Sequence, residues 1–280
     1  MSREKEIFKT GSTTYYWSSV FFPENTRDDV FKLYSFVRIA DNFVDQTPQD
    51  VRSFKQVTAA WKKIIKDGKS PSKKLSSDIQ LSVQNMYDVY KKYSFDTKWV
   101  TAFLAAMEQD INKNKYKTLD DTIAYMYGSA EVIGLMMAKI IGVPEEGYEA
   151  AKLQGRAMQY INFIRDIAED NELGRQYFPL SELKKYGLPD LSVKSAYKYP
   201  AAFREFIEAQ LSYYSEWQSA ANSGFKYIPR SQRIALRTAV DMYNWTADTI
   251  AKNPYIVFDK KIKPSKSRVV VRALVRSIHA

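Results

Sequence analysis

Cysteine is missing altogether from the 280 residues, so the chain can hold no disulfide, no thiolate zinc site and no cysteine nucleophile. Histidine occurs once, as His279 in the tail, which nearly removes imidazole from catalysis. No apolar run reaches the roughly 18 residues that a bilayer span needs, and the opening Met-Ser-Arg-Glu-Lys-Glu lacks the apolar stretch of a secretion signal. A cytoplasmic location is therefore expected. There is no glycine fingerprint for a nicotinamide dinucleotide. No helix-turn-helix or zinc pattern presents itself and the positive charge is diffuse, so nucleic acid is not expected as a partner. β-branched runs with period-two alternation are scarce, which argues against a sheet.

What is present suits a large helical core: 45% apolar residues, 14% aromatic, and a net charge of +10 that would favour polyanions of any kind. Apolar residues recur at three- and four-residue spacing, and the reading is all-α with about ten helices. The main segments are 27–45, 50–67, 76–93, 97–113, 119–142, 145–172, 200–222 and 230–252, with shorter pieces near 13–21, 180–186 and 267–277. Every proline falls between these segments or in a first turn, where a missing amide donor does little harm. No domain boundary is visible, so residues 1–280 read as one domain ending in a basic tail, 264–280.

Oxygen ligands are the remaining chemistry. Asp41 and Asp45 are four residues apart, and so are Asp166 and Asp170, so each pair projects from one face of a helix. Tyr34, Arg38, Asp41 and Asp45 form one polar stripe, and Gln159, Asn162, Asp166 and Asp170 another, each flanked by residues such as Phe36, Ile39, Ile161 and Phe163. Buried acid pairs call for cations, and carboxylates converging on magnesium can hold a diphosphate. The alternative is two solvated helices whose acids pair with lysine or arginine.

The blocks Phe21-Phe-Pro23, Leu33-Tyr34-x3-Arg38-x2-Asp41-x3-Asp45, Met107-Glu-x-Asp110 with Tyr116, Tyr125-Met-Tyr-Gly-Ser-Ala-x-Val-Ile-Gly134, and Gln159-x2-Asn162-x2-Arg165-Asp166-x3-Asp170-x3-Gly174-Arg175-x-Tyr177-x-Pro179 together resemble the squalene/phytoene synthase family. The resemblance spans about residues 11–262 and looks most like its phytoene synthases. It implies an isoprenoid-synthase helical bundle around a central cavity that joins two prenyl diphosphates head to head. Two geranylgeranyl diphosphates would give phytoene through prephytoene diphosphate. Squalene or dehydrosqualene formation from two farnesyl diphosphates, and a non-catalytic binding module, are the alternatives. By the resemblance, Asp41, Asp45, Asp166 and Asp170, assisted by Asn162, hold magnesium, with manganese as a substitute and no nicotinamide cofactor for phytoene formation. Glu169 is a weaker candidate ligand. Arg38, Arg165, Arg175 and Lys260 would donate to the diphosphates. Tyr15, Tyr34, Tyr125 and Tyr243 would line the reaction centre with Gln159.

Three further features stay open at this level. Gly128, Gly134 and Gly155 lie inside proposed helices, where glycine costs about 1 kcal/mol against alanine, so either room for a prenyl tail or close helix packing must compensate. The chain reads Gly11-Ser-Thr-Thr-Tyr15 where many members carry a lysine, and Glu131 where a glycine often follows Ala130. Finally, Arg268, Arg272 and Arg276 share a helix face in a tail that also carries Val271, Leu274 and Val275. That pattern suits lying on an anionic bilayer, or packing on the bundle with the basic stripe in solvent.

Overall fold

The computed structural model describes residues 3–259 and 262–278, so Lys260, proposed above as a phosphate donor, lies outside the described residues. Among those described there is no strand, only helices and one isolated bridge between Lys115 and Gln176. In chain order the helices are α1 (Arg3–Gly11), α2 (Thr13–Ser19), α3 (Glu24–Asp45), α4 (Val51–Asp67), α5 (Ser77–Tyr93), α6 (Thr97–Asn112), α7 (Leu119–Met126) and α8 (Val132–Ile140). They continue as α9 (Tyr148–Arg165), α10 (Ile167–Glu172), α11 (Leu180–Lys185), α12 (Val193–Lys198), α13 (Pro200–Asn222), α14 (Arg230–Lys252), α15 (Ile256–Asp259) and α16 (Lys266–Ile278).

Side-chain caps start several of these helices: Asp50, Ser76 and Asp96 each accept a first-turn amide, and Thr118 and Asp121 form a reciprocal capping box. The all-helical expectation holds, with four local corrections. α1, α12 and α15 were not anticipated, and α3 begins three residues before the expected 27. The segment 119–142 is continuous but passes through one π-helical turn, Tyr127–Glu131, between α7 and α8. The segment 145–172 breaks at Asp166, whose backbone (φ −100°, ψ 16°) leaves the helical range, although the Asp170 amide still reaches the Asp166 carbonyl at 2.8 Å.

Helix α9 is the central strut, packed by α13 on one side and by α8 and the π turn on the other. The glycines explain how close that packing is. A Cβ on Gly134 would lie 2.3 Å from the Ala151 carbonyl oxygen, and one on Gly155 would lie 2.5 Å from the Ala130 carbonyl oxygen. A Cβ on Gly128 would meet the Ala102 carbonyl of α6 at 2.5 Å. All three glycines therefore serve backbone-to-backbone approach, and Gly134 and Gly155 line the central cavity as well.

Glu131 is not on an outer, solvated side. It is 1% exposed and accepts a hydrogen bond from Arg156 Nε at 2.7 Å, while the guanidinium stacks over Trp217. The acid thus ties the π turn to α9 outside the cavity wall.

Of the two expectations for the tail, packing on the bundle describes α16, with part of its basic stripe drawn onto a neighbouring acid. It packs on α14 and α2 with Val269 and Ala273 buried, and its arginines, although Arg268 and Arg272 stay exposed, lean onto the protein surface. Arg272 and Arg276 converge on the buried Asp241 carboxylate at 2.8 and 2.6 Å, and Arg268 lies over Trp245. Val271 and Leu274 point outward instead. Two of the arginines thus supply countercharge to an acid of the neighbouring helix whose carboxylate is largely shielded from water.

Candidate active site

One cavity of about 680 Å³ runs through the bundle. Thirteen of the fourteen residues singled out from sequence line it: Tyr15, Tyr34, Arg38, Asp41, Asp45, Tyr125, Gln159, Asn162, Arg165, Asp166, Asp170, Arg175 and Tyr243. The fourteenth, Lys260, is not described. Glu169 lines the cavity too. The two acid stripes therefore meet across one space, because α3 and the α9–α10 junction each turn their polar row inward. The rest of the wall is mostly hydrocarbon and small side chains, including Phe103, Ile133, Met137, Ala150, Leu236 and Ala239.

Two arginines sit on the acid nearest them. Arg38 reaches Asp41 at 2.8 Å, one helical turn away, and Arg165 reaches Asp166 Oδ1 at 2.8 Å through Nε. Arg175 is used differently. It is almost fully buried, donates to the Asp45 carboxylate and the Val44 carbonyl, and so ties the loop after α10 to the C-terminal end of α3. Cations favour that end of a helix, where carbonyls lack amide partners.

Even with these arginines, negative charge is in excess. Burial first, and then the neighbouring Asp45, push Asp41 up to about 7. Burial and the adjacent Asp166 hold Asp170 well above the ordinary carboxylate range. Such shifts mean that added positive charge would be welcome. Among the described residues no three carboxylates or imidazoles are preassembled around one metal position. The donor chemistry nonetheless fits magnesium, which uses one or two carboxylates and completes its shell with water and phosphate oxygens. Asn162 Oδ1 supports that fit, being buried on this wall with no hydrogen-bond partner. Ser129 Oγ, on the π turn, is a second unpartnered polar atom lining the cavity.

An aromatic wall adjoins the acids. Phe163 and Tyr177 stack at 4.3 Å between ring centroids, and Tyr177 stacks on Tyr125 at 5.2 Å. On the other side, Tyr15 and Tyr243 have ring centroids 5.6 Å apart, and Tyr243 lies beside Arg165 and Asn162. Desolvation raises the pKa of Tyr15, Tyr125 and Tyr243 alike, so all three remain neutral phenols.

Sequence reasoning gave no role to Asp110, which lines the cavity at 6% exposure. Burial lifts it to about 6, partly offset by hydrogen bonds from Tyr125 and Tyr177. A signal existed: Phe103, Met107 and Asp110 follow one another at helical spacing, placing an acid in an apolar stripe.

Comparison with known proteins agrees with this geometry. The squalene/phytoene synthase family profile matches residues 8–269. The chain is 29% identical to the 15-cis-phytoene synthase of Enterobacter agglomerans, covering 84% of this chain and 80% of that protein. It is 25% identical to the chloroplastic phytoene synthase 2 of Oryza sativa subsp. japonica, covering 94% of this chain but 66% of that longer protein. A crystal structure of a dehydrosqualene synthase in complex with ligand superposes with a TM-score of 0.85 at 22% identity, covering 99% of this chain and 94% of that one. With an all-helical isoprenoid-synthase fold and a profile match along nearly its whole length, the chain belongs to the squalene/phytoene synthase family.

Proposed function

We propose that this cavity joins two geranylgeranyl diphosphates head to head, giving phytoene by way of prephytoene diphosphate with release of diphosphate. The observation that supports this most is the meeting of both acid pairs at one cavity whose remaining wall is aromatic and aliphatic. Such a space suits a substrate that is anionic at one end and hydrocarbon at the other.

Asp41, Asp45, Asp166, Asp170 and Asn162 would hold magnesium, or manganese in its place. When bound, the metal supplies positive charge for a departing diphosphate. The protein's own groups do the remaining work. Arg38 and Arg165 are spread along their partner acids, and once those acids turn to a cation, their planar forks are left to donate to phosphate oxygens. Arg175 keeps Asp45 in place. Phe163, Tyr177 and Tyr125 present ring faces that favour a hydrocarbon cation. Because burial keeps the tyrosines protonated and no cysteine exists in the chain, the wall offers that cation no strong nucleophile.

The 29% identity to a phytoene synthase favours the 20-carbon substrate. The main alternative is dehydrosqualene or squalene from two farnesyl diphosphates. A binding module without catalysis is disfavoured by the presence of all four aspartates on the cavity wall. Mass spectrometry of products from 15-carbon and 20-carbon diphosphates, with and without NADPH, separates these readings. Phytoene from the 20-carbon substrate irrespective of NADPH is expected. Dehydrosqualene from the 15-carbon substrate alone, or squalene only with NADPH, would replace that reading, and no product from either would favour the binding module. Peripheral contact with an anionic bilayer belongs to the same proposal, through the outward Val271 and Leu274 of α16 and a hydrocarbon product that partitions into lipid.

A further inference from the structure

Asp110 is buried beside the cavity, and no cation forms an ion pair with its carboxylate among the described residues. Arg175 bonds its backbone carbonyl at 3.4 Å, not its side chain. The carboxylate instead accepts two phenolic protons, from Tyr125 at 2.6 Å on Oδ2 and from Tyr177 at 3.1 Å on Oδ1. The Arg175 charge eases this burial from a distance, but a buried carboxylate whose direct donors are both neutral is still an expensive way to hold a fold together. What the arrangement does secure is direction. With its proton committed to Asp110, the Tyr125 hydroxyl has only lone pairs left to offer the cavity. The same carboxylate fixes Tyr177, keeping the two rings stacked on each other and on Phe163.

We propose that Asp110 is a positioning residue that acts through Tyr125, orienting its hydroxyl so that oxygen lone pairs, and not a proton, face the reacting hydrocarbon cation. A lone pair attracts a passing cation, whereas an outward proton would repel it. This rests on the condensation reading above. Asp110→Asn breaks the arrangement, because an amide has one acceptor oxygen and its NH2 group must donate to whichever hydroxyl faces it, reversing that hydroxyl.

The test compares wild type, Asp110→Asn, Tyr125→Phe and the double variant in steady-state turnover of geranylgeranyl diphosphate with magnesium. Misorientation of a cavity group predicts that Asp110→Asn lowers kcat by about 100-fold with KM little changed. The double variant should be no slower than Tyr125→Phe alone, since the carboxylate has then lost the group it acts through. Losses that multiply, or a raised KM at wild-type kcat, would overturn the proposal. If Asp110→Asn does not fold, Asp110→Glu keeps the charge but displaces the carboxylate by one methylene, and wild-type kcat in that variant would overturn it equally. Proton NMR reads the tether without turnover. A slowly exchanging, downfield hydroxyl resonance absent from Tyr125→Phe should move upfield in Asp110→Asn, and an unmoved resonance contradicts the proposal. Should wild type turn over no prenyl diphosphate, the condensation reading fails while the NMR result still judges the tether.

Discussion

Replacing Gly134 by alanine pits two opposed effects against each other at the contact that frames the cavity. A methyl group there lies 2.3 Å from the Ala151 carbonyl oxygen, whereas carbon and oxygen in ordinary contact stay about 3.3 Å apart. The missing ~1 Å must come from separating α8 from α9, because the obstacle is backbone and cannot swing aside. Overpacking of this kind costs about 3 kcal/mol, and alanine returns about 1 kcal/mol of helix propensity, leaving a loss of about 2 kcal/mol. For a chain of 280 residues that is a fall of about 3–4 °C in Tm. Gly155→Ala wedges the same pair of helices, 2.5 Å from the Ala130 carbonyl oxygen, so the double variant should lose less than the sum of the two. Thermal unfolding by circular dichroism is the assay. A Gly134→Ala protein melting at or above wild type would mean that helix propensity wins and that α8 and α9 do not approach this closely.

Two further outcomes follow from charge. Asp41, Asp110 and Asp170 titrate higher folded than unfolded, so each makes a contribution to stability that is complete below about pH 4; for Asp110 and Asp41 it is lost as pH rises through about 6 and about 7. The metal-free protein should therefore lose Tm between about pH 5 and 7.5, and magnesium, which needs the ionised acids, should restore more at the upper end; a metal-free Tm that climbs across that window contradicts the assignment. In flotation with anionic liposomes, deletion of residues 265–280 should reduce recovery with lipid, as should Leu274→Glu on the outward face. Equal recovery of all three proteins would remove the membrane contact.

The two acid stripes were legible because a helix writes its faces into the spacing of residues, and thirteen proposed side chains indeed share one cavity. What stayed hidden depends on neighbours distant in sequence. α1 carries only Ile7 and Phe8 as buried apolar residues, and Phe8 is held by stacking on Tyr34 of α3. No glycine or proline marks the break at Asp166, and Gly128 inside the π turn at Tyr127–Glu131 reads equally well as a packing contact in a continuous helix. For the three internal glycines, spacing could not choose between cavity and contact, since only the facing carbonyls of α6, α9 and the π turn decide it. The pairing of the α16 arginines stayed open for a related reason: an arginine stripe is the same string whether it faces water or an acid, and Asp241 lies on another helix.

The central claim is that the opposed acid pairs act on a metal-bound diphosphate. The most direct measurement is diphosphate release from geranylgeranyl diphosphate, with and without magnesium, by wild type, Asp41→Ala and Asp166→Ala, each confirmed folded by its melting curve. The account predicts magnesium-dependent release by wild type and a loss of at least about 100-fold in each variant. Release that persists without a divalent metal, or that neither substitution slows, would contradict it.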